Sequence, residues 1–317
     1  MDTLRACPRG ESGKTRGREG MRDLCLPKSR LEPLRCALSR VGPALWLGLG
    51  LTLGLVAVSV FAPLLVRYPP DVVIPGAGLQ PPSAEHPFGT DALGRDMLSR
   101  TLYGGRPALT GALLGVGTAA LLGIPLGLAA GYGSGWADRL ISRVVEIWLG
   151  FPPLLLAIII VARAGPSLAH AVIALGIVSM PSFFRVTRSC AIKIRQMGYT
   201  EAARALGAGH LRIVVRHLLP NVASSLVVLI TMRMGRFVLA GGALTFIGLG
   251  AQPPTPEWGA LLATGRDYLR TAPWLAIFPG LATMIAVLGF NLLGEGLRDL
   301  LEVRDRQPPR VSGGNST

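Results

Sequence analysis

Apolar residues fall into long runs separated by polar and basic stretches. The first run covers residues 41–66. A bilayer core is crossed by about 20 apolar residues, so this run predicts a spanning helix, placed at 43–66. It is longer than the core of a signal peptide, and the tail before it is too long and basic for one. It is therefore expected to stay uncleaved. Further runs at about 107–132, 145–161, 168–184, 222–249 and 273–293 predict five more spans. The third contains Pro152 and Pro153, which free backbone carbonyls. Inside a membrane such groups persist only where protein or a water-filled path satisfies them. In the second, Gly123, Gly127, Gly131 and Gly135 recur every four residues. That spacing predicts a face where another helix packs closely, with plain glycine richness as the bland alternative.

Composition agrees. Half of the 317 residues are hydrophobic, only 16% are charged, and the mean hydropathy is +0.47. Soluble domains carry about 25% charged residues. The predicted class is an all-α integral membrane protein with six transmembrane helices. No Cys-x-x-Cys pair occurs among Cys7, Cys25, Cys36 and Cys190, so no zinc or redox site is indicated.

Net charge of +14 suits either nucleic acid or the basic loops of a membrane protein. The distribution decides. Residues 1–42 hold ten Lys/Arg against five Asp/Glu and are expected to form a disordered tail. Residues 185–221 hold seven Lys/Arg and one acid, Glu201, and the C-terminal end adds Arg298, Arg304, Arg306 and Arg310. Residues 67–106 balance four against four. Six spans put both termini on one side, and the positive-inside rule makes that side cytoplasmic. The predicted organisation is a cytoplasmic tail (1–42), a first helix (43–66), an external segment with a short amphipathic helix (67–106), a core domain (107–298) carrying the loop 185–221, and a cytoplasmic tail (299–317). Pro8–Thr15 nearly matches a phosphate-binding loop but has proline where glycine is required and lacks the strand and helix around it. It is read as chance.

The loop contains YTEAARALGAGHLRIVVRHLLPN, from Tyr199 to Asn221, which has a helix-turn-helix outline. Thr200 is placed to cap a first helix with Glu201 at its positive end. Ala202 and Ala203 allow close approach by a partner. Gly207 is suited to ending the helix in a left-handed conformation. Arg212 and Arg216 are paired one turn apart on a second helix, and Pro220 precedes the next span. A DNA-reading module of about 20 residues has no core of its own, so nucleic acid is not an expected partner.

Glu201-Ala202-Ala203, Gly207 and Leu219-Pro220 match the E-A-A–x3–G…L-P loop of bacterial ABC importer permeases. Three further stretches, HPFGTDALGRDMLSRTLYG, LTFIGLGAQPPTPEWGALLATGRDYL and NLLGEGLRDLLEVR, resemble the dipeptide/oligopeptide/nickel class, second-permease subfamily. The resemblance covers roughly 43–304. It implies type I ABC importer permease architecture and transport of di- or oligopeptides, with nickel or another small solute as the alternative. It implies a homologous permease as heterodimer partner, two ABC ATPase subunits, an extracytoplasmic substrate-binding protein and surrounding membrane lipids. No cofactor is expected on this chain; ATP and Mg belong to the ATPase. The resemblance assigns ATPase docking to Glu201, Ala202, Ala203, Arg204, Gly207, Leu219 and Pro220. Where the family usually has an acid in the fifth span, Gly241 stands. Glu302-Val303 replaces the family's D-P.

Arg233 and Arg236 fall inside the fifth apolar run. An arginine at bilayer centre is costly unless it faces protein or water. They are expected to line the translocation path or pair with acids on the partner; snorkelling is the bland alternative. Two histidines, His210 and His217, make a poor metal site and are read as surface or docking residues. No catalytic residues are identified. The competing class is a stand-alone secondary transporter, against which the E-A-A loop argues.

Overall fold

The computed structural model describes residues 42–133 and 135–305, and its described residues are mostly helical. The tail 1–41, with Pro8–Thr15 and three of the cysteines, and residues 306–317 lie outside them. Helix α1 (Pro43–Val60) is followed by a short α2 (Ala62–Leu65). Helix α3 (Met97–Gly133) is the first of the two longest elements. The pair α4 (Trp136–Leu149) and α5 (Pro153–Ala164) comes next, then α6 (Leu168–Arg195). Two short helices, α7 (Gly198–Ala205) and α8 (His210–Ile213), and a π turn (Val214–Leu218) lead into α9 (Leu219–Phe246). Helices α10 (Trp258–Arg266) and α11 (Trp274–Asp305) complete the described chain.

The third predicted span is not one straight helix. It breaks at Gly150–Pro152, and α4 and α5 meet at 88°. Proline explains the break, because it lacks the N–H of the helical ladder and restricts the residue before it. By length and composition alone the described residues hold five spanning helices, or six with this bent pair. The packing favours six passes. Along the α3–α6 seam, Gly115 meets Val172, Gly123 meets Phe183, Gly127 meets Thr187 and Gly131 meets Ala191, so the two helices run parallel. The segment between them must therefore return the chain.

Glycine makes this seam possible. A Cβ on Gly123 would lie 2.6 Å from the Met180 carbonyl oxygen, and one on Gly127 2.8 Å from that of Phe184. One on Gly131 would lie 2.7 Å from the carbonyl oxygen of Arg188. Gly135 does not belong to the seam. It sits past the end of α3 at φ +79° with nothing within 4 Å.

Other boundaries also differ from the sequence reading. The second helix starts at Met97, ten residues before 107, because Asp96 accepts a hydrogen bond from the Ser99 amide (2.8 Å) and caps it. Helix α6 continues to Arg195, so residues 185–195 extend a span and the loop proper is shorter than 185–221. Leu45, near the start of α1, packs on Gly296 near the end of α11. Leu301 shares a cleft with Met197, Tyr199 and Asn221. Both ends of the described chain thus lie on the face that carries the α7–α8 loop.

Candidate functional site

The loop is a braced projection. Its first helix starts one turn earlier than the sequence suggested. Met197 is the N-cap position, and Thr200 sits inside α7. The Thr200 hydroxyl is buried and donates to the Ile194 carbonyl (2.8 Å), tying α7 to the end of α6. Gly207 has φ +82°. The Ala208 amide donates to Ala203 O and the Gly207 amide to Arg204 O, both at 3.0 Å. This is the Schellman arrangement, which satisfies the last carbonyls of a helix and needs a left-handed residue.

Further contacts hold the loop to the spans. The Tyr132 hydroxyl, at the end of α3, lies 2.9 Å from His210 Nδ1. Arg204 stands over the Tyr132 ring at 5.7 Å, and Arg195 donates to the Tyr132 carbonyl (3.3 Å). On the other side, Asn221 donates to the Tyr199 hydroxyl (3.3 Å), and the His217 ring lies 6.0 Å from Tyr199. The two histidines therefore have bracing partners, which the sequence alone did not reveal. Beyond the brace, Glu201, Ala202, Arg204, Gly207, Leu219 and Pro220 are exposed and Ala203 is half-buried. Leu206 at the tip is 89% exposed and Leu211 77%.

Deeper in the bundle, Arg233 is half-buried and Arg236 exposed, half-way along α9. They line a cavity of about 190 Å³ with Pro153, Leu154, Val178 and Ser179. No acidic side chain lines this cavity.

The opposite face is closed by a buried polar cap built from the HPFGTDALGRDMLSR stretch. His86 Nδ1 lies 2.9 Å from Asp96 Oδ1, and Arg95 Nε donates to Asp91 Oδ2 at 2.6 Å. Trp274 Nε1 donates to the Thr90 carbonyl (3.2 Å) and Trp258 Nε1 to the Thr101 carbonyl (2.8 Å). Sequence reasoning gave this stretch a turn and a helix but not its interior. Glu257 is 3% exposed and caps α10, accepting from the amides of Gly259 (2.8 Å) and Ala260 (3.2 Å). Burial pushes its carboxyl above the usual range, against hydrogen bonds from Ala260, Thr245 and Gly259. Gly241 and Gly242 line the same small cavity as Glu257, so a carboxylate stands beside the glycine that occupies the expected acidic position. Among the described residues no cluster of His, Cys, Asp or Glu is arranged to hold a metal ion.

The bundle of spanning helices and its projecting loop define an integral membrane protein. Residues 123–307 match the model of the binding-protein-dependent transport system inner membrane component, and the chain belongs to that family. It is similar to the dipeptide transport system permease protein DppC of Alkalihalophilus pseudofirmus, 46% identical over 80% of this chain and 84% of the relative. It is also similar to the glutathione transport system permease protein GsiD of Pectobacterium atrosepticum, 47% identical over 70% of this chain and 73% of the relative. The Escherichia coli GsiD is 43% identical over 82% and 84%. Among solved structures, the inward-facing MetNI methionine ABC transporter aligns with a TM-score of 0.54 at 20% identity, covering 64% of this chain and 97% of that one, a likeness of fold. The chain is thus a non-catalytic ABC importer permease, with ATP hydrolysis by separate ATPase subunits and delivery by a substrate-binding protein.

Proposed function

We propose that this chain forms half of a heterodimeric path that moves di- or oligopeptides inward across the cytoplasmic membrane. The loop face lies in the cytoplasm, a placement supported by its excess of Lys/Arg. Two ATPase subunits dock on the paired permeases, one on Glu201, Ala202, Ala203, Arg204, Gly207, Leu219 and Pro220 of this chain. ATP and Mg stay on those subunits. The binding protein delivers to the opposite face, and lipid covers the exposed leucines of the spans. Arg233 and Arg236 face the path.

The observation that carries this reading is the braced loop. Contacts from α3, α6 and α9 converge on α7 and α8 while Leu206 projects freely. A rigid projection transmits motion of a docked partner into three spans at once. The peptide assignment is supported by the names of the dipeptide and glutathione permeases.

The test is uptake of labelled peptides, and separately of nickel, in cells with and without this chain. ATP-dependent peptide uptake that requires the chain is expected. Gly207→Val, which cannot adopt the left-handed conformation without strain, should abolish uptake and weaken copurification of the ATPase. Normal uptake in that variant refutes the coupling role, and uptake of nickel alone refutes the peptide assignment.

A further inference from the structure

Two guanidinium groups lie together within the spans. Arg233 and Arg236 sit one turn apart on α9 and line one cavity. Among the described residues, neither makes an ion pair or a side-chain hydrogen bond. Arg236 is exposed, and Arg233 is half-buried against the cavity. Unpaired arginines on a spanning helix are unstable against lipid. Two together need an anion more strongly than one, because they also repel each other.

A second feature of the same cavity has the same sign. The break at Gly150–Pro152 leaves α5 to begin there, with Pro153 and Leu154 in the wall. The start of a helix carries partial positive charge, and since Pro152 and Pro153 have no N–H its free amides here begin at Leu154. Broken spans use such ends to meet anionic groups of substrates near the bilayer midplane. No acidic residue lines this cavity.

We infer that Arg233 and Arg236, with the start of α5, form a station that receives a carboxylate of the passing solute. This rests on the permease reading above and adds the chemical class of the group recognised: for a peptide, its C-terminal carboxylate. The arginines give charge-assisted hydrogen bonds to the carboxylate, Ser179 adds one hydroxyl, and the other walls (Val178, Ala240, Phe237) are apolar and make little polar demand on the rest of the solute. The station is an element of selection separate from the binding protein.

The test compares uptake of a labelled dipeptide and its C-terminal amide in cells carrying either the wild-type chain or Arg233→Gln/Arg236→Gln. The binding protein is the same in both, so a change in the acid-to-amide ratio reports on the permease. The double variant should lower uptake of the free acid about tenfold, as expected for losing a charge-assisted hydrogen bond, and leave uptake of the amide nearly unchanged. Arg233→Lys/Arg236→Lys should retain part of the acid preference. Copurification of the ATPase should be unaffected. An equal fall for both peptides overturns the inference in favour of acids on the partner permease, and an unchanged ratio with full uptake overturns it outright. Absence of any chain-dependent peptide uptake in the wild type overturns the peptide reading itself and this inference with it.

Discussion

Arg188 grips Asp138 with two prongs, Nε to Oδ1 at 2.6 Å and Nη2 to Oδ2 at 2.8 Å. The pair joins the start of α4 to the later part of α6. It ties the start of the returning segment to α6, while the prolines set where that segment breaks.

Loss of one prong should leave a charge without its partner. Arg188→Gln and Asp138→Asn should each lower the melting temperature of the purified complex in detergent. The double variant should lose less than the sum of the two. The side chains are 33% and 20% exposed, so a coupling of about 1 kcal/mol is expected. Strict additivity in the double-mutant cycle would show that the pair does not hold α4.

The glycine seam gives a matched comparison. Gly127→Ala places a Cβ 2.7 Å from the Thr187 Cβ and 2.8 Å from the Phe184 carbonyl oxygen, and backbone cannot yield cheaply. A loss of about 1–3 kcal/mol is expected from overpacking. Gly117→Ala on the same helix meets nothing within 4 Å and should be neutral or slightly stabilising. Thermal inactivation of the two variants measures the difference; equal behaviour would mean that α3 and α6 do not pack as described.

Leu206 is almost fully exposed at the loop tip. An exposed apolar tip on a rigid base is suited to an apolar groove on a partner. Leu206→Asp should leave the stability of the isolated chain unchanged and lower ATPase copurification at least several-fold, since a buried aspartate without a partner is costly. Retained copurification would move the docking contact elsewhere on the loop.

Glu257 makes stability depend on pH. Its carboxyl titrates above the usual range in the folded chain because burial disfavours the charge. Between the ordinary and the raised value the folded state holds the extra proton, so stability falls as pH rises through that window. Glu257→Gln stays neutral and should flatten this dependence in melting temperatures measured across pH. Glu257→Ala removes the α10 cap and should cost about 1 kcal/mol below that window, and less above it as the wild type weakens. A wild-type curve that rises over the same window would contradict the burial of this carboxyl.

Apolar runs revealed six crossings, the loop between the fourth and fifth, and the glycines that one helix presses against another. These are local properties. Hydropathy is summed along the chain, and Gly207 ends α7 through its own backbone freedom. Arg233 and Arg236 were visible as charges out of place for the same reason.

Tertiary structure decided the rest, because it depends on which distant residues meet. Asp96 starts α3 early only because its segment folds into the buried cap. Thr200 binds back to Ile194 instead of capping α7, since the chain turns sharply after α6. Gly135 has the period of the seam but lies past the end of its helix. Pro152 and Pro153 announced a weak point, while the 88° angle required α6 and the Asp138–Arg188 pair to hold both halves. Periodicity along a helix tells which residues share a face, and packing between helices tells what that face meets.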